Sequence, residues 1–271
     1  MSNMSLILLQ VLNIVFAILP VIILCIYIYK MDVIEKEPMI MLFSLFFLGV
    51  SITVPVAYIE SILTKVANID YSDRFSCFIL AFLIVAIVEE GFKYLVLFLG
   101  TWRNKNFNHI YDGIVYAVFV SLGFALLENI IYIAQPTFSW LKYMSMPTIE
   151  TIQSSTDTAI LRALVSVPAH CFYAVASGYY FGLAKLNRSI GYKKRSNLYL
   201  IYSFIIPVVL HGLFDYLLLI SNDVLSWMFF CFVSILYMAS YFNIKKISAV
   251  EMTSNIQKMK GGNNNERSSR E

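Results

Sequence analysis

Residues 75–100 read FSCFILAFLIVAIVEEGFKYLVLFLG, and this stretch decides how the whole chain is read. It is long and apolar enough to cross a bilayer, because about 20 apolar helical residues span roughly 30 Å of hydrocarbon. Yet its middle carries Glu89, Glu90 and Lys93. A single charge at the bilayer centre costs roughly 2.5–3.5 kcal/mol even on the lenient insertion scale. Further polar groups interrupt other apolar runs: Glu128, His170, and the pair His211 and Asp215. Left unpaired, this set would cost on the order of 10 kcal/mol, comparable to the whole net stability of a protein. These groups must therefore face one another or a water-filled cavity, and intramembrane ionisable residues mark function.

Outward from this stretch, further apolar runs lie at about 5–29, 39–63, 111–134, 159–184, 198–220 and 224–243. The fold class is thus all-α, a polytopic membrane helix bundle with about seven transmembrane helices. Composition agrees: 59% of residues are hydrophobic, 14% are charged and the mean hydropathy is +0.72, whereas a soluble domain carries about 25% charged residues. The lipid bilayer is the expected surrounding, and no nucleic-acid partner is expected. The first apolar run is too long for a cleaved signal, whose apolar core is roughly 7–15 residues, so it reads as a retained helix. Cys25, Cys77, Cys171 and Cys231 show no C-x-x-C spacing and read as small hydrophobes. The longest connection, about 135–158, holds Pro136, Trp140, Lys142 and Pro147 and reads as a segment that shapes an entrance. A membrane unit over 1–247 is followed by a tail, 248–271, that lacks an apolar period and reads as disordered and cytoplasmic.

Basic residues set the orientation. One set of ends carries 15 Lys and Arg, among them Lys30, Arg103, Lys185 and Lys245, and the other carries 3, namely Lys65, Arg74 and Lys142. The excess places the N-terminus outside and the C-terminus in the cytoplasm. On that topology Glu89, Glu90, His170 and His211 fall between the midplane and the outer half, with Glu128 and Asp215 nearer the outside. One shared aqueous pocket explains this common depth.

The spacing carries chemistry. Glu89 and Lys93 are one helical turn apart, in the favourable order, and Glu90 lies three residues before Lys93. Lys93 can neutralise one carboxylate while its neighbour serves as a general base. His211 and Asp215 are also one turn apart, so the carboxylate can orient the imidazole. Pro168 loosens the backbone beside His170, and Gly123 lets another helix approach near Glu128. His109, at the edge of its run, reads as a surface residue. The same residues also suit an ion-pair lock between helices, or an ion path in a transporter or channel.

In order, the motifs read Glu89-Glu90-Gly91-Phe92-Lys93, Phe124-Ala125-Leu126-Leu127-Glu128 and His211-Gly212-Leu213-Phe214-Asp215. Together they resemble the PrsW-type intramembrane proteases, which are distantly akin to the CAAX prenyl-protease and Abi group. The resemblance covers about residues 85–216. It implies a bacterial cell-membrane enzyme that makes the site-1 cut in a single-pass anti-sigma factor, leading to release of an extracytoplasmic-function sigma factor under stress. Residues 1–247 would then be the protease domain.

The expected chemistry is water activation by Glu89 or Glu90, tuned by Lys93, without a cofactor. His211, oriented by Asp215, and His170 would donate to the oxyanion or the leaving group, and Glu128 would complete the network. Zinc held by the glutamates and histidines is the competing version, although no H-E-x-x-H is present. A CAAX-type prenyl-protein protease and a non-catalytic receptor descended from such a protease are further alternatives. The sequence gives no oligomeric state.

Overall fold

Seven stretches of helix are long and apolar enough to cross a membrane: Val11–Met31, Met39–Val66, Arg74–Thr101, Ile110–Ala134, Gln153–Ser189, Lys193–Leu219 and Ser226–Val250. Each corresponds to a run expected from sequence, with ends that differ by at most seven residues. The computed structural model describes residues 3–143, 149–220 and 223–268, and among these no strand occurs. The helices are α1 (Asn3–Met31), α2 (Met39–Val66), α3 (Arg74–Phe78), α4 (Ile87–Thr101), α5 (Ile110–Tyr143), α6 (Ile149–Leu161), α7 (Val167–Ser189), α8 (Lys193–Leu219) and α9 (Asp223–Ser268). Much of the connection expected at 135–158 is thus helical: α5 runs on to Tyr143 and α6 starts at Ile149, while Pro147 lies outside the described residues. Helix α9 continues to Ser268, past the boundary drawn near residue 248.

Helix α5 is the centre of the bundle. In its most apolar window 72% of residues are buried, against 22–50% in the other spans. It packs on α7, α2 and α1, and its apolar face of Ile114, Val118 and Leu122 is fully buried. Two contacts bring backbones together. A Cβ added at Gly123 of α5 would collide with the Phe46 carbonyl oxygen of α2, and one at Gly113 would lie 2.5 Å from the Gly178 carbonyl oxygen of α7. Small residues permit such approach where no hydrophobic drive brings helices together in lipid.

Two spans change register on the way to the centre of the bundle. A π-helical segment, Ile79–Ala86, joins α3 to α4, and a second, Arg162–Ser166, joins α6 to α7. In the second, the Val167 amide bonds the Arg162 carbonyl five residues back. Pro168 then offers no amide hydrogen to the preceding turn. The carbonyls of Leu164 and Val165 in that turn accept from the Tyr237 hydroxyl of α9 at 2.7 and 3.0 Å. This is how a proline is accommodated within a membrane helix.

In the α1–α2 connection, Glu37 is 3% exposed. Burial pushes its carboxyl up to about 7, with Asp112, Asp32 and Glu35 adding to the rise. A carboxyl raised in the folded state binds its proton more tightly folded than unfolded. Stability therefore declines as pH climbs from the ordinary carboxylate range through about 7. Glu37→Gln is expected to raise the melting temperature at pH 8 and to raise it less at pH 5, as read by thermal scans in detergent. Gly123→Ala is expected to destabilise the protein by about 1–3 kcal/mol, the usual cost of overpacking, seen as a lower melting temperature at either pH.

Candidate functional site

The site is assembled around Lys93. Its ammonium donates to Glu89 Oε2 at 2.8 Å and to Glu90 Oε1 at 2.9 Å, four and three residues back on the same helix. It also reaches His170 Nδ1 of α7 at 3.2 Å and lies 4.2 Å above the Phe124 ring of α5. Because an ammonium only donates, His170 Nδ1 is the acceptor, and its Nε2 is left to donate to Glu128 Oε2 at 3.0 Å. From α8, His211 Nδ1 lies 2.9 Å from Glu90 Oε1 and 4.0 Å from Glu89 Oε2, and its Nε2 lies 3.3 Å from Asp215 Oδ2. The two imidazoles meet edge to face at 5.3 Å, and the Tyr173 ring stacks on His211 at 5.0 Å. All seven residues singled out in the sequence thus join one network carried by α4, α5, α7 and α8. His109 stands apart with its side chain 31% exposed, its Nδ1 3.9 Å from Asp112 Oδ2.

Exposure shows which way the site opens. The side chains of Glu89, Glu90, Lys93, His170 and His211 are 4–5% exposed, against 16% for Glu128 and 22% for Asp215. The floor therefore lies at Lys93 and access is from the Glu128 and Asp215 side. Below the floor a cavity of about 10 Å³, lined in part by Glu90, Lys93, Ser121 and Ser177, has the size of one water.

Residues that the sequence did not single out for the site also belong to it. Arg162, in the second π-helical segment, places Nη2 2.8 Å from Glu128 Oε2, an ion pair without the alignment of a hydrogen bond. Its Nε donates to Asn129 Oδ1 at 2.6 Å and its guanidinium lies 4.2 Å from the Tyr132 ring centre. An arginine inside a membrane span demands a carboxylate, which was the available signal. Glu60 of α2 is partly buried and within electrostatic reach of Glu89, Glu128, His211 and Lys93. Four carboxylates (Glu89, Glu90, Glu128, Asp215) thus lie in a network with two fixed cations, Lys93 and Arg162, and the acidic Glu60 stands within electrostatic reach, so added positive charge is favoured there.

Glu89, His170 and His211 each offer a ligand atom, all within 4.8 Å of one another. One carboxylate and two imidazoles are a donor set suited to zinc. The outward nitrogen of each imidazole rests on its own carboxylate, Glu128 or Asp215, as metal-binding histidines usually do. The Lys93 ammonium already occupies a position between Glu89 and His170, so a cation fits this set.

Residues 37–242 match the family described as PrsW family intramembrane metalloprotease. The chain is 34% identical to Protease PrsW of Clostridioides difficile over 206 residues, covering 76% of this chain and 78% of the relative. It is 36% identical to Protease PrsW of Geobacillus kaustophilus over 193 residues, 71% of this chain and 73% of the relative. Against Protease PrsW of Bacillus subtilis the identity is 31% over 237 residues, 87% of this chain and 95% of the relative. No solved structure matches the fold. Asp215→Asn and Glu128→Gln, which alter the partners of the outward imidazole nitrogens (Glu128→Gln also weakening the pair with Arg162), are each expected to lower peptide-bond cleavage about 10–100-fold at equal membrane abundance; unchanged cleavage in both would remove the orienting role.

Proposed function

The chain belongs to the PrsW family of intramembrane proteases, a multi-pass bacterial membrane peptidase, and from that premise we propose that it makes the site-1 cut in a single-pass, membrane-anchored anti-sigma factor. That cut leads to release of an extracytoplasmic-function sigma factor after a second cleavage. The observation that carries this reading is the buried carboxylate–imidazole network around Lys93, whose more exposed members are Glu128 and Asp215. The open side lies towards the helix ends poor in Lys and Arg. By the positive-inside rule those ends are extracytoplasmic, which puts the N-terminus outside and suits a first cut on that face.

Hydrolysis requires a water oxygen to attack the scissile carbonyl carbon, the C–N bond to break, and a proton to pass from that water to the leaving nitrogen. Glu90, held by Lys93 and His211, takes this proton and returns it to the amine. Lys93 balances the charge of the adjacent carboxylates, while Asp215 and Glu128 fix the imidazoles of His211 and His170 facing the reacting group. A divalent ion, when bound, would be held by Glu89, His170 and His211 and would supply polarisation of the carbonyl and acidification of the water. The tight packing of Tyr173 and Phe124 against the histidines excludes bulk water from the floor.

Co-expression with a tagged anti-sigma factor from the same genome tests the reading. Wild type is expected to yield a truncated substrate. Glu89→Gln and Glu90→Gln are each expected to reduce that product about 10²–10⁴-fold. Normal cleavage by both variants would end the assignment. Metal analysis of the purified chains separates the two glutamates: Glu90→Gln is expected to keep the metal content of wild type and Glu89→Gln to lose it. Full activity of the wild type after exhaustive chelation would discard the metal and leave glutamate chemistry alone.

A further inference from the structure

Glu60 is the one carboxylate of the site that no motif includes. It stands on α2, near the end of the span opposite the basic loops, where α2 packs against α4, α5 and the first π-helical segment. Its Oε1 is fully buried yet has no hydrogen-bond partner among the described residues. Such an oxygen loses its hydration without compensation unless a donor arrives.

Among the described residues, the cations of the site are engaged with other partners. Lys93 spends its three N–H groups on Glu89, Glu90 and His170. Arg162 is engaged by Glu128 and Asn129. Both imidazoles already face carboxylates. Nor does Glu60 join the Glu89, His170 and His211 group that could hold a metal ion. The remainder of its side chain is partly exposed, so it stands at the rim where a substrate enters rather than on the floor. A surplus of carboxylates around Glu60 excludes an anionic guest and favours a cationic one.

We propose that Glu60 is a substrate-positioning residue that accepts the ammonium or guanidinium of a basic side chain lying beside the scissile bond. The inference rests on the protease reading given above. A Lys or Arg near the end of a transmembrane segment can bury its aliphatic stem among the apolar residues of α2 and extend its charged head to Glu60. Seated there, it would set the register of the substrate backbone against Glu90 and the histidines. Substrates bearing a neutral residue at that position would be bound less tightly.

The test uses the full chain in nanodiscs and synthetic single-pass peptides carrying one lysine, or norleucine in its place, moved along one half of the segment. Binding is read by fluorescence anisotropy on Glu89→Gln protein, in which cleavage is expected to be too slow to consume the peptide during the measurement. At one position the lysine peptide is expected to bind about 10-fold tighter than its norleucine counterpart, as befits a charge-assisted hydrogen bond. Adding Glu60→Gln should bring that ratio close to one, and adding Glu60→Lys should turn the preference towards a glutamate peptide. Circular dichroism and gel filtration check that each variant is folded. A lysine preference that survives Glu60→Gln, or no lysine preference at any position, overturns the proposal. Cleavage of the same peptides by wild type is scored separately. Cleavage without a lysine preference refutes the role of Glu60 alone, and a Glu60-dependent preference without cleavage refutes the protease reading alone.

Discussion

Everything at the centre of this bundle depends on one ammonium group held out of water. Two adjacent carboxylates in a low-dielectric interior repel each other, and each alone would carry a large desolvation cost. Lys93 resolves both problems from a single point, because its three N–H groups are directed at Glu89, Glu90 and His170. The third of these bonds ties α4 to α7, so charge balance also becomes tertiary structure. Loss of one partner of such a buried pair typically costs about 3–5 kcal/mol, which is why isosteric changes such as glutamate to glutamine are the informative ones at this site.

The scaffold around this point is built for close approach. Glycines at the crossings of α5 with α2 and α7 bring backbones into contact and make α5 a central post shielded from lipid. The π-helical segments precede Glu89 and His170 by three and four residues. Each adds a residue to its turn, which rotates the following helix and aims those side chains inward. Such segments occur frequently at functional sites. The donor that Pro168 withholds from its own helix is replaced by Tyr237 from α9, so the histidine-bearing helix starts without an unsatisfied turn.

The seven spans were legible because length and apolarity alone define a membrane helix. The network of Glu89, Glu90, Lys93, Glu128, His170, His211 and Asp215 was legible because charged residues in such spans are rare and costly. What sequence could not give was the pairing between helices. Arg162 was visible within its span, but its partner Glu128 is on another helix, and nothing local links them. Glu60 sits near the end of α2, where an acid reads as an interface residue. The π-helical segments leave no mark in a uniformly apolar run, since periodicity cannot be read where every position is apolar. The stretch 135–158 was read as a connection because Pro136, Lys142 and Pro147 interrupt its apolar character, while the neighbouring helices extend into it.

The pairing of Glu89 and Glu90 with Lys93 on a single helix has a consequence for biosynthesis. Helices leave the ribosome in order, so α4 reaches the lipid before α5, α7 or α8 exists to receive it. Its carboxylates carry their counter-ion three and four residues away, and the segment can enter the bilayer already partly neutralised. Glu128 has no such companion on α5, and its partners Arg162 and His170 are synthesised later. During that interval Glu128 must stay hydrated or remain protonated. The docking of α6 and α7 is therefore the step that supplies Glu128 with its partners.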